Sequence, residues 1–311
     1  MYTILGATGN VGSKIADIMI SLKGENVRLV SRTADRMLPC LLQKNRADIT
    51  MYSGDAEAYV GDMMDAAFLV HAFEGADAVF TLIPPNINAE KFMTYTASIS
   101  ESIAHALEIA NVRYVVNLSS IGADMSEGTG AILALHNFEQ RLNRIDGLNV
   151  MHVRAAFFME NLFMNIGQIQ SQGINSSAIQ GNIKFPMIAT QDVAEFAANQ
   201  LVHHDFIGSS VKYLLGERDL TMIEATALLG MTIGKPGLTY VTLPYDKAEE
   251  SLVMEGVSPD VSRLYIELYR ALNDGRLTAS FKRSADNTTS ISLEEFCKEV
   301  FAQIYSHKIA A

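Results

Sequence analysis

Several features that define whole classes of proteins are absent or scarce in this sequence. Its 311 residues include only two cysteines, Cys40 and Cys297, too few for a disulfide framework. We therefore expect a reduced, cytoplasmic protein, although two thiols can in principle pair. No apolar run reaches the roughly 18–20 residues of a membrane-spanning helix. The first residues lack the basic and long apolar segments of a signal peptide, so we expect none.

Positive charge is also scarce. Lys and Arg total 24 against 35 Asp and Glu, which gives a formal net charge of -11. Nucleic acids and anionic membranes are bound through basic surfaces, so this balance argues against direct contact with either. A small anionic ligand needs only a few local donors and is compatible with the composition.

The motifs of several enzyme classes are missing as well. The chain contains neither the G-x-S-x-G segment of many hydrolases nor a G-x-x-x-x-G-K-[ST] phosphate loop. Neither H-E-x-x-H nor C-x-x-C occurs, so we expect no metal site. These absences leave chemistry that needs no such motif, and they direct attention to the pattern of the first half.

The first half alternates short apolar segments with segments of helical spacing. Nearly all-apolar strands joined by helices predict a doubly wound parallel α/β sheet covered on both faces. The pattern loosens after residue 156, which predicts a Rossmann-type domain over 1–156 and a smaller C-terminal α/β lobe over 157–311. Residues of about 186–216 are expected to return to the first domain. The predicted strands of the first half are Tyr2–Leu5, Val27–Val30, Ala58–Val60, Ala78–Ile83, Tyr114–Leu118 and Asn149–Arg154. The predicted helices between them are Val11–Leu22, Ala34–Gln43, Asp65–Gly75, Ala89–Ala110 and Ala131–Arg144.

A glycine-rich loop joins the first strand to the first helix. Its G-x-x-G-x-x-G spacing differs from the G-x-G-x-x-G dinucleotide fingerprint, but the physical basis is the same. Glycines allow a tight turn and a close approach of backbone N–H groups to a pyrophosphate, and the helix N-terminus favours negative charge. We expect this loop to bind a dinucleotide; the alternative is a merely tight turn. The predicted contact residues are Gly6, Thr8, Gly9, Asn10, Val11 and Gly12.

The second strand ends at the position that selects between NAD(H) and NADP(H). Ser31 and Arg32 stand where an NAD-preferring site has a carboxylate, and Arg36 is a second nearby cation. An arginine binds a 2′-phosphate that a carboxylate would repel, so NADP(H) is expected over NAD(H), unless Arg32 is only a solvated surface residue. Asp62, after the third strand, is expected either beside the adenine amine or as a turn cap. Ile83 and Pro84, at the end of the fourth strand, should line the nicotinamide ribose.

These segments resemble the NmrA-like family of atypical short-chain dehydrogenase/reductases. The opening Ile4–Gly12, the strand ends Val79–Pro84 and Val115–Ser120, the segment Arg154–Leu162 and the segment Ile188–Ala194 all match that family's sequences. Ala155 stands where the family usually has proline. The resemblance covers nearly the whole chain, and it implies an NADP(H)-binding Rossmann domain with a small lobe that closes a substrate cleft. The family includes quinone and dye reductases as well as redox-sensing regulators, so it implies the cofactor better than the reaction.

The catalytic pair of ordinary short-chain reductases is missing from this chain. No tyrosine is followed by lysine four residues later, and by the family's pattern His136 lies near the lysine position with Ile132 or its neighbour near the tyrosine position. His136 is either a general acid/base or a structural histidine, and no neighbour in the sequence fixes its tautomer. Ser119, with Ser120, follows the fifth strand and could bond a substrate oxygen or cap a turn.

An apolar, aromatic segment follows the sixth strand. Phe157, Phe158 and Asn161 are the expected substrate contacts, with Glu160 as a second polar member and the rest of the segment as packing. The resulting hypothesis is an NADP(H)-dependent oxidoreductase that transfers hydride to a planar apolar quinone or enone. The alternative is an NADP(H)-binding redox-sensing regulator with little or no turnover. A homodimer or a regulatory protein partner is compatible with either hypothesis.

Overall fold

The structure is a computed structural model that describes residues 1–22, 24–33 and 56–310. Within these ranges the chain forms short strands, which we number along the sequence. They are β1 (Tyr2–Leu5), β2 (Val27–Ser31), β3 (Ala56–Val60), β4 (Ala78–Thr81), β5 (Tyr114–Ser120), β6 (Asn149–Ala155), β7 (Phe157–Phe158), β8 (Ile174–Ser177), β9 (Phe185–Ile188), β10 (Ser209–Leu214), β11 (Asp219–Leu220) and β12 (Thr239–Thr242).

The helices alternate with the strands in the first half and dominate the second. The α-helices are α1 (Gly12–Asp17), α2 (Ala66–Phe73), α3 (Phe92–Ile109), α4 (Leu133–Leu142), α5 (Ile166–Gln172), α6 (Thr190–His203), α7 (Met222–Thr232), α8 (Tyr245–Met254), α9 (Pro259–Asn273), α10 (Leu293–Phe296) and α11 (Ala302–Ala310). Two π-helical segments, Ile18–Leu22 and Cys297–Phe301, extend α1 and join α10 to α11. Short 3-10 helices span Gly130–Ile132, Met159–Asn165 and Arg276–Thr278.

Seven strands form one parallel sheet in the order β10-β6-β5-β4-β1-β2-β3. The order runs in opposite directions from β1, so the switch point lies between β1 and β4. The carboxyl ends of the strands meet at one edge there, which is the ligand-binding edge of open α/β sheets. The predicted fold class, a Rossmann-type doubly wound sheet with a smaller lobe, is confirmed.

Helices bury both faces of this sheet, which explains why its central strands are apolar throughout. On one face, α1 and α6 pack together over β1, with Ile15 and Val193 fully buried. On the other face, α2, α3 and α4 enclose Leu5 and Phe138. Residues 190–214 therefore build on the same sheet as residues 1–155.

The remaining residues form a lobe over the carboxyl edge. β9 pairs in parallel with β7 and antiparallel with β11, and β8 pairs in parallel with β12. A separate cluster that includes Phe185, Leu229 and Phe301 forms the core of this lobe. The domain boundary near residue 156 stays a prediction.

The structure differs from the sequence-based expectations mainly at element ends. The long helix expected from Ala89 begins at Phe92, because the Asp260 carboxylate of the lobe accepts the Phe92 N–H at 2.9 Å. The fourth strand ends at Thr81, two residues before its expected end. The helix expected at Ala34–Gln43, with Arg36 and Cys40, lies outside the described residues. None of the described helices is long and apolar enough to cross a bilayer.

Candidate functional site

A cavity of about 1110 Å³ opens at the carboxyl edge of the sheet. Its walls come from the loops after all six strands β1 to β6 and from the lobe that covers them. Most of the described residues that the sequence nominated for binding or catalysis lie in these walls; Glu160 and His136 do not. Those that do are Gly6, Thr8, Gly9, Asn10, Val11, Gly12, Ser31, Arg32, Asp62, Ile83, Pro84, Ser119, Phe157, Phe158 and Asn161. Their roles stay predictions, and Arg36 lies outside the described residues.

The loop between β1 and α1 has the geometry of an anion cradle. Gly6 has a φ of +64°, and a Cβ on Gly12 would overlap the Gly6 carbonyl, so both positions need glycine. Among the described residues, the backbone N–H groups of Asn10, Val11 and Gly12 donate to no backbone oxygen. Three adjacent free N–H groups at a helix start fit a pyrophosphate.

The end of β2 lies beside this loop. The hydroxyls of Thr8 and Ser31 are 2.9 Å apart and share a hydrogen bond, which ties the loop to β2. Arg32 follows at the cavity wall with its side chain exposed. Asp62 also lines the cavity, and its Oδ1 accepts the Met64 N–H at 3.0 Å. Asp62 therefore caps a turn, as one of its two predicted roles requires. Its Oδ2 is the carboxylate oxygen that could accept from a ligand.

A buried ion pair lies behind the end of β5. Glu139 of α4 accepts two hydrogen bonds from Arg154 of β6, at 3.0 and 2.6 Å, and both residues are almost fully buried. Burial acts to lower the pKa of Arg154, but the hydrogen bonds and charges of Glu139 and Tyr213 together outweigh it and raise that pKa. The Ser119 hydroxyl donates to the same carboxylate at 2.6 Å. The proton of Ser119 is therefore committed to Glu139, and its oxygen can only accept from a ligand.

His136 has a partner that no sequence pattern indicated. Its Nδ1 lies 2.8 Å from the carbonyl oxygen of Ala123, and because a carbonyl only accepts, Nδ1 carries the hydrogen. His136 is half-buried and is not among the described residues of the cavity wall. This contact is the one expected of a structural histidine; a catalytic role for His136 stays a hypothesis.

The segment after β6 divides between cavity and core. Phe157, Phe158 and the exposed Asn161 line the cavity. Phe163 instead stacks on aromatic side chains of the lobe core, and Met159 is buried. The substrate-facing part of the segment is therefore small, as expected of a stretch in which most residues pack.

Glu160 does not join the cavity, contrary to expectation. It is buried, its carboxylate accepts the Thr190 N–H at 3.1 Å, and it forms an ion pair with Lys14 at 3.0 Å. The Thr190 hydroxyl also bonds both side chains. The reason is local: Glu160 sits at the unpaired N-terminal N–H of α6, where a carboxylate is favoured. Glu160 thus ties α1 to α6.

Three tyrosines line the cavity that no sequence pattern indicated. Tyr95 comes from α3, and Tyr265 and Tyr269 come from α9. On the same helix Arg263 and Arg270 are exposed, whereas Tyr265 and Tyr269 are half-buried. The spacing of four residues between Tyr265 and Tyr269 is the signal that could have placed both on one helix face.

The cavity is charged at its glycine-loop end and nearly uncharged at its lobe end. Arg32 and Asp62 lie at the glycine-loop end, and Glu255 is the one charged residue that the described lobe contributes. Among the described residues, no group of three His, Cys, Asp or Glu side chains could hold a metal ion. The lobe end thus combines apolar and aromatic side chains with uncharged polar ones such as Asn165 and Gln168, which suits an uncharged ligand.

Comparisons with known proteins agree with this geometry. The family described as NAD(P)H-binding matches residues 6–204. A (4-alkanoyl-5-oxo-2,5-dihydrofuran-3-yl)methyl phosphate reductase of Streptomyces griseus is 26% identical over 267 residues, which cover 86% of this chain and 85% of that protein.

Solved structures share the whole architecture. The NADPH-dependent quinone oxidoreductase QOR2 of Escherichia coli, complexed with NADPH, has a TM-score of 0.76 at 19% identity, over 97% of this chain and 100% of that chain. NmrA, a negative transcriptional regulator, in complex with NADP, has a TM-score of 0.67 at 14% identity, over 99% and 97% of the two chains. A second NmrA structure contains NAD. Together with the family match, these likenesses confirm the NmrA-like resemblance and the NAD(P)H-binding oxidoreductase fold.

Proposed function

The chain belongs to the NAD(P)H-binding family, and from this membership we propose that it is an NADPH-dependent oxidoreductase acting on a planar, conjugated acceptor of the quinone or enone type. One observation carries the proposal: a single cavity joins the glycine loop to a nearly uncharged lobe that contributes aromatic side chains. A dinucleotide at one end and a flat acceptor at the other would therefore meet inside one cleft. Binding side by side holds the two reactants together, which lowers the barrier to transfer.

The residues present fit the dinucleotide. The free N–H groups of Asn10, Val11 and Gly12 would hold the pyrophosphate, and Arg32 would bind a 2′-phosphate at the end of β2. Ile83 and Pro84 would line the nicotinamide ribose. When bound, NADPH supplies the hydride. We propose NADP(H) over NAD(H) because of Arg32.

The protein's own contribution is positioning more than acid catalysis. Phe157 and Phe158 line the cavity. The Ser119 hydroxyl donates its hydrogen bond to Glu139, and His136 Nδ1 donates its hydrogen bond to the Ala123 carbonyl oxygen. A quinone or enone that gains hydride becomes a delocalised anion, which water can protonate. The missing Tyr-x-x-x-Lys pair is therefore compatible with this class of acceptor.

The relatives support the same class of acceptor. One is named for the reduction of an oxo-dihydrofuran that bears an alkanoyl group, and another for quinone reduction. The first of these substrates also carries a phosphate. The lobe end of the described cavity contributes no lysine or arginine to bind one. We therefore propose an uncharged acceptor for this protein.

The test is NADPH oxidation, followed at 340 nm, against a panel of quinones and enones. We expect turnover with at least one neutral acceptor, and at least tenfold lower kcat/KM for the sulfonated form of the same quinone, because the lobe end offers no cation. Assays without protein control for direct reduction. Tight NADPH binding with no oxidation across the panel would contradict the proposal.

That outcome would favour the second candidate, a regulator that senses the NADP(H) redox state. The structural likeness to NmrA and the absence of the tyrosine–lysine pair support it. In that case the lobe surface would engage a protein partner. A cytoplasmic location and the absence of direct nucleic-acid contact are predictions common to both candidates, and so is a homodimer.

A further inference from the structure

Apolar residues line the part of the cavity wall where ordinary short-chain reductases have their proton-donating tyrosine. The first turn of the corresponding helix region, Gly130–Ile132, presents apolar residues to the cavity. Ser119 donates to Glu139 and His136 to Ala123, so neither offers a free proton. A carbonyl oxygen that became negative in this cavity would find no donor on these residues.

Helix α9 of the lobe packs directly against this turn. A Cβ on Gly130 would overlap the Leu264 carbonyl oxygen and lie 2.8 Å from the Leu268 backbone N. Gly130 also has a φ of +58°, so both sterics and backbone conformation require glycine. The absence of a side chain at Gly130 lets the backbone of α9 approach, and the approach brings the next turns of α9 to the cavity.

Two tyrosines of α9 reach the cavity as a result. Tyr265 and Tyr269 stand one helical turn apart, and both line it. Within the described part of the chain, neither hydroxyl has a hydrogen-bond partner. Tyr240, by contrast, commits its hydroxyl to the carbonyl oxygen of Ile179 at 2.7 Å. An uncommitted phenol in a cavity wall is a donor without an acceptor, which a ligand oxygen would supply.

Tyr269 is better placed than Tyr265 to bind a ligand oxygen. It packs against the cluster that contains Ile132 and Phe185 and also against the cluster that contains Ala134, whereas Tyr265 packs only against the second. Burial, as the largest cause, raises the pKa of Tyr269, and the nearby Tyr265, Tyr240 and Glu255 raise it further. Tyr269 therefore keeps its proton throughout the neutral range and can donate a hydrogen bond.

We propose that the Tyr269 hydroxyl donates a hydrogen bond to the carbonyl oxygen of the acceptor, and so replaces from the lobe the tyrosine that the first domain lacks. This inference rests on the proposed function. When the β-carbon of the acceptor gains hydride, the C=C electron pair shifts to form a double bond to the carbonyl carbon, and the C=O π pair moves onto the oxygen. Tyr269 shares its proton with that oxygen, water supplies the proton that stays on the product, and the phenol is left unchanged. The hydrogen bond strengthens as the charge develops, so it favours the transition state.

The test compares Tyr269→Phe with the matched control Tyr265→Phe. Each change removes one hydroxyl, and neither breaks a hydrogen bond of the described residues, so both variants should fold. The first readout is the carbonyl stretch of a 13C-labelled quinone or enone bound without dinucleotide, measured by difference infrared spectroscopy. We expect Tyr269→Phe to shift the stretch to higher wavenumber and Tyr265→Phe to leave it in place.

The second readout is kinetic. Removal of one donor to a developing oxyanion lowers kcat by about 10²-fold, and we expect that loss for Tyr269→Phe with little change in NADPH affinity. An unchanged stretch and unchanged kcat in Tyr269→Phe would overturn the inference and leave the proposed function standing, as would the same losses in Tyr265→Phe instead. Failure of the wild-type protein to reduce any acceptor would instead overturn the proposed function, and this inference with it.

Discussion

Arg32 directly follows β2, at the strand end where NAD-preferring Rossmann proteins carry a carboxylate for the ribose 2′-hydroxyl. Its side chain is exposed at the cavity wall, next to Ser31 at the end of β2. Arginine and a 2′-phosphate form charge-assisted hydrogen bonds, whereas aspartate would repel that phosphate. The choice of cofactor can therefore be tested by a change of one side chain.

We expect wild-type protein to bind NADPH more tightly than NADH by about 1–3 kcal/mol, the usual worth of such hydrogen bonds. Arg32→Asp should erase or reverse the difference, which calorimetric titration with both cofactors measures. Arg113→Asp is the matched control, since Arg113 is exposed and immediately precedes β5 at the opposite edge of the sheet. Equal wild-type affinity for the two cofactors would contradict the expectation.

Residue identities predicted which side chains reach the cavity better than what those side chains do there. The glycine loop and Arg32 were predictable because they depend on a strand end and the residues next to it. The partners of Ser119 and His136 were not, because Glu139 and Ala123 meet them only through tertiary packing. Hydrogen-bond partners decide whether a hydroxyl or an imidazole is free to act.

The turn from β1 into α1 is the element that we propose binds the dinucleotide pyrophosphate. Gly12 faces the backbone of Gly6 so closely that an added Cβ would lie 2.8 Å from the Gly6 carbonyl carbon and closer still to its oxygen. Neither atom belongs to a flexible side chain, so the backbone of the turn would have to move. That movement would displace the free N–H groups of Asn10 and Val11.

Gly12→Ala should weaken NADPH binding at least tenfold and lower the free energy of unfolding by about 1–3 kcal/mol, the usual cost of overpacking. Calorimetric titration and guanidinium denaturation measure the two effects. Gly237→Ala is the control, because Gly237 is exposed and an added Cβ there meets nothing within 4 Å. NADPH affinity and stability that match those of the control would show that this turn is not the dinucleotide site.

At the level of elements, periodicity predicted the parallel sheet because its strands are buried on both faces. Periodicity did not predict the features that depend on contact with an element distant in the sequence. Asp260 sets the start of α3, and the N-terminus of α6 draws Glu160 away from the cavity. Periodicity did not nominate Tyr269 for the same reason, since the surface that α9 covers lies in another part of the sequence.

At the scale of the whole molecule, a chain of hydrogen-bonded, buried polar side chains crosses the three strands β4, β5 and β6. Thr81 donates to Asn117 Oδ1 at 3.1 Å, and the Asn117 amide lies 3.1 Å from Nδ1 of His152. His152 Nε2 lies 2.9 Å from the Asn143 side-chain oxygen, so Nε2 donates and Nδ1 accepts. This arrangement needs a neutral imidazole, which links the stability of the sheet to pH.

Burial lowers the pKa of His152 to about 4, while the charge of Glu139 acts to raise it and that of Arg154 to lower it. An unfolded histidine has a pKa near 6.5, so the unfolded chain takes up a proton first as pH falls. The contribution of His152 to stability is therefore complete above about pH 6.5 and is lost as pH falls towards 4.

Between pH 7 and pH 4.5, His152→Gln should lose about 2 kcal/mol less unfolding free energy than the wild type, because the variant has no histidine to protonate. Denaturant unfolding at the two pH values measures this difference. His105→Gln, on the exposed side of α3, removes a histidine without touching the buried chain and should behave as the wild type. Equal pH dependence in all three proteins would refute the assignment.

The position of β10 at the end of the sheet has a consequence for synthesis of the protein on the ribosome. β10 pairs with β6, and α6 covers α1, yet both elements follow the excursion through β7, β8 and β9. A nascent chain that has only just completed β6 therefore displays an open strand edge and the uncovered apolar side of α1. Such surfaces recruit chaperones and self-associate. Translation must continue through residue 214 before the sheet is closed.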